Sequence, residues 1–381
     1  MNLSRRDLPA VRPFEGEFTE SETFVPQTAL REALAEFAAS PAARENLNRL
    51  SRGEARVIIT GQQPCFPMPL GLTLQKTATA VALARRDESL VPVFWNGSDD
   101  SDFDEAAGQY LNRKDRSALR ISLPASLERK GRRVGELPIA AAFGELDKFT
   151  QAPFKPGQDE DLGHFHGRIM AELFADDGLL VLEGRAPALA ESAKPLWQRY
   201  LERRSECAAS VDQEGDKLEG EGLGRPLRRG IGERALFFLK EGRRRLPPAE
   251  DYVEALKRRL SEAQSDLSPN VLLRPMLQNI VLPVEGVVLG PSEWLYHHQI
   301  RAAFELMDAP FPRLWPRLDA AGAWELDRKK PGPGGRESSP LLEPGNPLAQ
   351  VEKLLELAEV HLEAWGQKHY HRLILHGEES P

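Results

Sequence analysis

Arg56-Val57-Ile58-Ile59-Thr60-Gly61-Gln62-Gln63, then the Ala- and Leu-rich stretch from Leu72 to Arg86, then Leu90-Val91-Pro92-Val93-Phe94-Trp95, decide the fold class. The two outer runs are short, apolar and rich in β-branched or aromatic residues. That is the pattern of strands buried on both faces. Pro92 sits near its strand start, where a missing N–H is tolerated. Two such strands flanking one helix predict a parallel pair joined by a right-handed crossover, hence an α/β fold.

Upstream, Leu30, Ala33, Leu34 and Phe37 fall on one helical stripe, and Ser40-Pro41 reads as an N-cap with proline at the first helical position. Downstream, from about 105 to 265, short strands mix with polar helices. Asp161 to Phe174 and Pro187 to Asp216 read as helices, and the Gly- and Arg-rich stretch Gln213 to Gly232 as a mobile loop. Strongly apolar sequence returns at Asn270-Val271-Leu272-Leu273-Arg274. Ile280-Val281-Leu282-Pro283-Val284 and Val287-Val288-Leu289 read as core strands, and Pro291 to Met307 as a helix. These shifts predict a helical lead-in over 1–52, a core in two parts over 53–105 and 270–327, an inserted lobe over 106–269, a linker over 328–345 and a terminal helix over 346–381. The terminal helix carries Val351, Leu354, Leu355, Ala358 and Leu362 on one face.

The chain of 381 residues holds 50 Lys plus Arg against 58 Asp plus Glu, a formal charge of −8, which argues against a general nucleic-acid binder. Two cysteines, Cys65 and Cys207, give no disulfide framework and no four-cysteine zinc site, the usage of a reducing cytosol. No apolar run approaches a membrane span, and the paired arginines near the start lack the apolar stretch of a leader, so a cytoplasmic protein is expected.

In open parallel sheets, ligands sit beyond the carboxyl ends of the strands. Three runs end in polar motifs: Thr60-Gly61-Gln62-Gln63, then Asn96 to Glu105, then Gly290-Pro291-Ser292-Glu293. As parallel neighbours they converge on one rim. The first reads either as a plain turn or as a phosphate- or carboxylate-binding turn at a helix N-terminus. It lacks the second Gly and the Lys-Ser/Thr pair of a P-loop. The second packs five carboxylates (Asp99, Asp100, Asp102, Asp104, Glu105) into seven residues. It is a solvated loop, or a site for an amine or for nucleotide-borne Mg²⁺, with a carboxylate as base. Glu105 stands where an EF-hand needs glycine. The third is a helix start with proline and glutamate in its first turn, or a ligand contact. His164, His166, His297 and His298 match no zinc spacing, so no metal site is expected. Cys65 has no evident base partner, and Arg243-Arg244-Arg245 reads as a solvated face.

In this order and spacing the motifs resemble the bacillithiol biosynthesis cysteine-adding enzyme family. The stretches that carry the resemblance are Val57 to Gln63, Thr73-Leu74-Gln75-Lys76, Val91 to Trp95 leading into Asp102-Phe103-Asp104-Glu105, Asn270 to Pro275 with Gln278, and Gly290 to Glu293 with Tyr296. Ala235 to Leu239 also looks like the family's mid-chain strand. The resemblance implies a Rossmann-like parallel core interrupted by a connecting-peptide insertion. It implies addition of L-cysteine to glucosaminyl malate by amide formation, with ATP and Mg²⁺ as the candidate cosubstrate. Asp99, Asp102 and Glu105 are then the expected catalytic carboxylates. Thr60, Gly61, Gln62, Gln63, Lys76, Arg274, Gln278, Gly290, Pro291, Ser292, Glu293 and Tyr296 are the expected substrate or nucleotide contacts. The partners are small molecules, not nucleic acid or membrane.

Three departures stand out. Ser101 replaces the imidazole of the family's Glu-Asp-His-Asp pattern. Cys65 and Pro69 replace glycines after Gly-Gln-Gln. The linker and terminal helix stand in place of a coiled coil, so a monomer or weak homodimer is expected. Two other readings stay open: a divergent amide ligase with another amine or acyl substrate, and a noncatalytic paralogue that binds a nucleotide or a partner protein.

Overall fold

The structure is a computed structural model that describes residues 26–112, 118–144, 154–262, 266–317 and 351–356. The chain opens with helices α1 (Thr28–Ala35) and α2 (Pro41–Ser51), the latter capped by the Ser40 hydroxyl, which accepts from Ala43 N. Strand β1 (Arg56–Gln62), helix α3 (Gly71–Arg86) and strand β2 (Leu90–Asn96) form the expected unit. A single turn, α4 (Phe103–Ala106), leads to the hairpin β3 (Gly108–Asn112) and β4 (Ala118–Ser122). Then come α5 (Leu162–Leu173), β5 (Leu180–Glu183), α6 (Pro187–Ser192) and α7 (Lys194–Gly220). The rest is β6 (Leu236–Lys240), β7 (Arg243–Arg245), α8 (Tyr252–Ser261), β8 (Leu267–Pro269), α9 (Leu273–Val281), β9 (Val284–Leu289), α10 (Pro291–Leu306) and β10 (Arg313–Pro316).

One parallel sheet carries the core, in the order β10-β9-β1-β2-β5. Its alternating side chains feed two cores, as the period of a strand dictates. Val57, Ile59, Val91, Val93, Leu180, Leu182, Val287 and Leu289 face α1, α2, α7, α9 and α10. Ile58, Phe94, Val181 and Val288 face α3 and α5. Helices therefore cover both faces of a three-layer α/β fold. The described part of the terminal segment, Val351 to Glu356, is helical and buries Val351 and Leu355 in the second core. The linker over 328–345 and the remainder of the terminal helix lie outside the described residues, as do residues 1–25 of the lead-in.

Three expectations need correction. The stretch 106–269 is not wholly an insertion, because it returns β5 to the core sheet, paired with Val93 to Asn96. All four β5 residues are buried, so this short run has nowhere else to place its apolar side chains. Ile280 and Val281 end helix α9 rather than forming a strand. Leu273, Met276, Leu277 and Val281 are buried at helical spacing, and that period prevails until Pro283. The loop expected from Gln213 is helical as far as Gly220, its buried stripe continuing through Gly215 and Leu218.

A second, antiparallel sheet in the order β7-β6-β8 stands beside the strand ends. Glu241 and Gly242 join β6 to β7 with φ of 51° and 69°, the left-handed pair of a tight hairpin.

Candidate functional site

The strand ends are stitched together by close backbone approach. Gly97 N donates to Gln62 O at 2.9 Å, and Thr60 Oγ1 to Val288 O at 3.0 Å, tying β1 to both neighbours. A Cβ at Gly61 would lie 2.8 Å from Trp95 O, so glycine is required there. The turn does not open a helix, however: eight largely buried residues separate Gln62 from α3. The expectation of a phosphate turn at a helix N-terminus fails on that spacing.

Lys76, from the first turns of α3, is 1% exposed and forms the hub of the rim. Its Nζ donates to Gly61 O at 2.6 Å, to Gln62 Oε1 at 2.8 Å and to Glu293 Oε1 at 2.9 Å. Gln62 Nε2 then donates to Glu105 Oε1 at 2.7 Å, and Glu293 Oε2 accepts from Gly290 N at 2.6 Å. Glu105, Gln62, Lys76, Glu293 and Gly290 thus form one hydrogen-bonded chain across three strand ends. Lys76 is enclosed and matched by a carboxylate, so it has no charge to offer a phosphate. The start of α10 is likewise already met by Glu293. The rim therefore does not fit nucleotide phosphates through Lys76 or Gly290.

A second cluster lies where the loop after β2 meets β7, β8 and α9. Arg274 pairs with Asp99 at 3.3 Å and with Asp100 at 3.0 Å, and Arg244 pairs with Asp100 at 3.2 Å. Ser268 Oγ donates to Asp99 Oδ2 at 3.2 Å, and Arg244 to Pro269 O at 2.6 Å. Burial alone would raise the Asp100 carboxyl. The Arg274 and Arg244 guanidiniums and the Ser101 N–H outweigh it and hold the group at about 2. The same carboxylates hold the Arg274 guanidinium above its ordinary value against burial. Burial pushes the Tyr296 hydroxyl up, with Glu293 adding to it and Arg274 opposing it.

The second cluster forms part of a cleft of about 470 Å³. The loop after β2 supplies Asp100, Ser101, Asp102 and Asp104, and the facing segments supply Arg129, Lys130, Phe237, Arg244, Asn270 and Arg274. The Arg244 guanidinium lies 4.1 Å over the Phe237 ring. Asp102 and Asp104 are exposed, and Asp102 caps α4 by accepting from Glu105 N at 3.2 Å.

The expected site residues therefore divide. Gly61, Gln62, Lys76, Glu105, Gly290 and Glu293 share the rim network, whereas Asp102 and Arg274 line the cleft. They do not form a single pocket lining. Asp99 is 3% exposed, and its Oδ2 is held by Arg274 and Ser268, which places it to hold Arg274. The Thr60 hydroxyl is used within the sheet. Gln63 is buried against Gly97, Gln278 is half-buried one turn beyond Arg274, Pro291 begins α10, and Ser292 is exposed. Cys65 is buried, its thiol near Glu105 O and Gly108 O.

Sequence reasoning missed Arg244, Arg129, Lys130 and Phe237. Arg244 belongs to a triplet read as solvated, yet it is buried while Arg245 is exposed. The alternation of a strand was the signal. Among the described residues no group of three or more His, Cys, Asp or Glu is arranged to hold a metal ion, and no helix is long and apolar enough to cross a membrane.

Curated relatives share this sequence over most of its length. A protein of Natranaerobius thermophilus named "Putative cysteine ligase BshC" is 26% identical over 313 residues, covering 74% of this chain and 57% of the relative. Proteins of the same name from Koribacter versatilis and Thermus thermophilus are 28% and 29% identical, covering 91% and 76% of this chain and 66% and 62% of their own. The chain thus spans about three fifths of the length of these relatives. The family model "Bacillithiol biosynthesis BshC, N-terminal Rossmann-like domain" matches residues 15–318. With the five-stranded parallel sheet and its strand-end rim inside that span, the chain belongs to the BshC family through its Rossmann-like domain.

Proposed function

We propose that the chain is an amide-forming ligase that joins L-cysteine to the amine of glucosaminyl malate. Family membership supports the ligase class, and the relatives' names supply the cysteine. The observation that carries the reading is the cleft in which exposed Asp102 and Asp104 stand beside the Arg244–Arg274 pair. Amide formation needs an amine stripped of its proton and a carboxyl group carrying a leaving group. ATP with Mg²⁺ is proposed to supply the activation.

In this reading the sugar ammonium enters the cleft and yields one proton to Asp102. Its lone pair attacks the activated cysteine carbonyl. The C–N bond forms, the C–O bond to the leaving group breaks, and the second nitrogen proton leaves to solvent. Asp102 suits the proton transfer because it is exposed and one of its oxygens is held by the Glu105 N–H. The buried Asp100 stays ionised and fixes the two guanidiniums. The Lys76 network holds Gln62 and Glu105 behind Asp102.

A changed amine acceptor is the second reading, favoured by Ser101, which lines the cleft where the family pattern carries an imidazole. The test is mass-spectrometric detection of product from cysteine and glucosaminyl malate, with and without MgATP, repeated with other amino sugars. Cysteinyl product from glucosaminyl malate supports the first reading. Product only from another amine moves the assignment to the second, and none from any amine rejects the ligase.

A further inference from the structure

Two arginine-rich segments far apart in sequence, 129–133 and 243–245, are fastened together at the mouth of the cleft. Arg244 N donates to Gly131 O at 2.6 Å, and Arg132 and Arg243 form a β-bridge. The contact requires glycine. Gly131 has φ of 76°, and a Cβ there would lie 2.2 Å from Arg244 O. The fastening brings Arg129, Lys130 and Arg244 into one lining.

The cations of this lining differ in how they are matched. Arg244 and Arg274 are matched by the Asp100 carboxylate. Arg129 donates to the carbonyls of Ser126 and Glu128. Among the described residues no carboxylate pairs with Arg129 or Lys130, and both are exposed. Four cations and four carboxylates line the cleft, and at its opening Arg129 and Lys130 stand with Glu128, Asp102 and Asp104.

We infer that Arg129 and Lys130, held by the Gly131–Arg244 fastening, bind the anionic end of a substrate, its carboxylates or phosphates, while an amine on that substrate lies by Asp102. A purely cationic or uncharged sugar would leave these groups unanswered. The inference rests on the proposed ligase reading and adds to it the residues that hold the acidic part of the amine substrate. The carboxylates of a malyl sugar and the phosphates of a nucleotide share the required chemistry, so the experiment separates them.

The full chain is titrated calorimetrically with glucosaminyl malate, glucosamine and MgATP, for wild type and for the double variant Arg129→Gln/Lys130→Gln. Both positions are exposed, so the variant is expected to keep the wild-type circular dichroism. Loss of two charge-assisted contacts is expected to weaken the anionic ligand by roughly tenfold or more. The loss should shrink at high salt, where wild-type affinity itself falls. Weakening confined to glucosaminyl malate identifies carboxylates, and weakening confined to MgATP identifies phosphates. Equal affinities in wild type and variant for both, or no binding of either by wild type, overturn the inference. Product formation is scored separately at saturating substrate. Turnover with unchanged affinities rejects this inference alone. Anion binding that the variant loses, without turnover by wild type, rejects the ligase reading alone.

Discussion

Lys76 Nζ and Glu293 Oε1 stand 2.9 Å apart, joining the first turns of α3 to the first turn of α10 across the end of β1. The lysine is enclosed, whereas Glu293 is 27% exposed, so the pair is buried on one side only. Removing a single partner strands the other. Glu293→Gln leaves the enclosed ammonium without its carboxylate and is expected to cost about 3–5 kcal/mol in urea unfolding. Lys76→Met, which leaves a part-exposed carboxylate, should cost less, and the double variant should fall short of the sum by about 1–3 kcal/mol. Strict additivity would show that the two side chains do not act together.

Asp102 should govern turnover. Asp102→Asn keeps an oxygen able to cap α4 but loses the base, with an expected fall of about 10²–10⁴-fold in cysteine-dependent product formation. Cys65→Ala should leave turnover near wild type, because the thiol is buried against the backbone carbonyls of Glu105 and Gly108. Near-normal turnover by Asp102→Asn would remove that carboxylate from the chemistry.

His166 is fully buried on α5 against Phe94. Neither ring nitrogen has a hydrogen-bond partner among the described residues, and burial pushes the imidazole down to about 3. Below its ordinary value near 6.5 the unfolded chain takes up a proton that the folded chain refuses, so stability falls as pH drops from about 6.5 toward 3. Between pH 7 and pH 5, wild type should lose about 2 kcal/mol more than His166→Leu. Parallel losses in the two proteins, read from urea midpoints, would contradict this.

Asp100 works in the other direction. Its folded value of about 2 lies below the ordinary 3.8, so its contribution is complete above 3.8 and fades as pH falls toward 2. Asp100→Asn leaves Arg244 and Arg274 short of an anion and should cost about 3 kcal/mol at pH 7. The gap to wild type should persist at pH 5 and close only near pH 2. A gap already closed at pH 5 would mean that the ion pairs do not hold this carboxylate.

The parts legible in the sequence are those that declare themselves locally. β1, α3 and β2 follow one another, and each carries its own period and its own end signals. β5 was missed because it is only four residues long and depends on β2 for its identity. α9 was misread at Ile280-Val281 because its apolar run continues into Leu282-Pro283-Val284, which does lead into a strand. At the site, the carboxylates after β2 were visible as a group, but their division into buried Asp99 and exposed Asp102 was not. That division is made by Arg274 and Ser268, brought in from more than a hundred residues away. Arg244 was hidden for the same reason, since its partners are Asp100 and the backbone of Gly131.

The place of β1 in the middle of the sheet, with β9 as its neighbour, has a consequence for synthesis on the ribosome. β1 can pair with β2 almost as soon as it emerges. Its other edge must wait until translation has run on from Gln62 to Val284. At about 5–20 residues per second that wait lasts ten seconds or more. Throughout it, Val57, Ile58 and Ile59 offer an unpaired, apolar edge to any neighbouring chain. The nascent protein is therefore most prone to aggregate over that interval, and slower initiation or chaperone capture at the exit tunnel should raise the soluble yield.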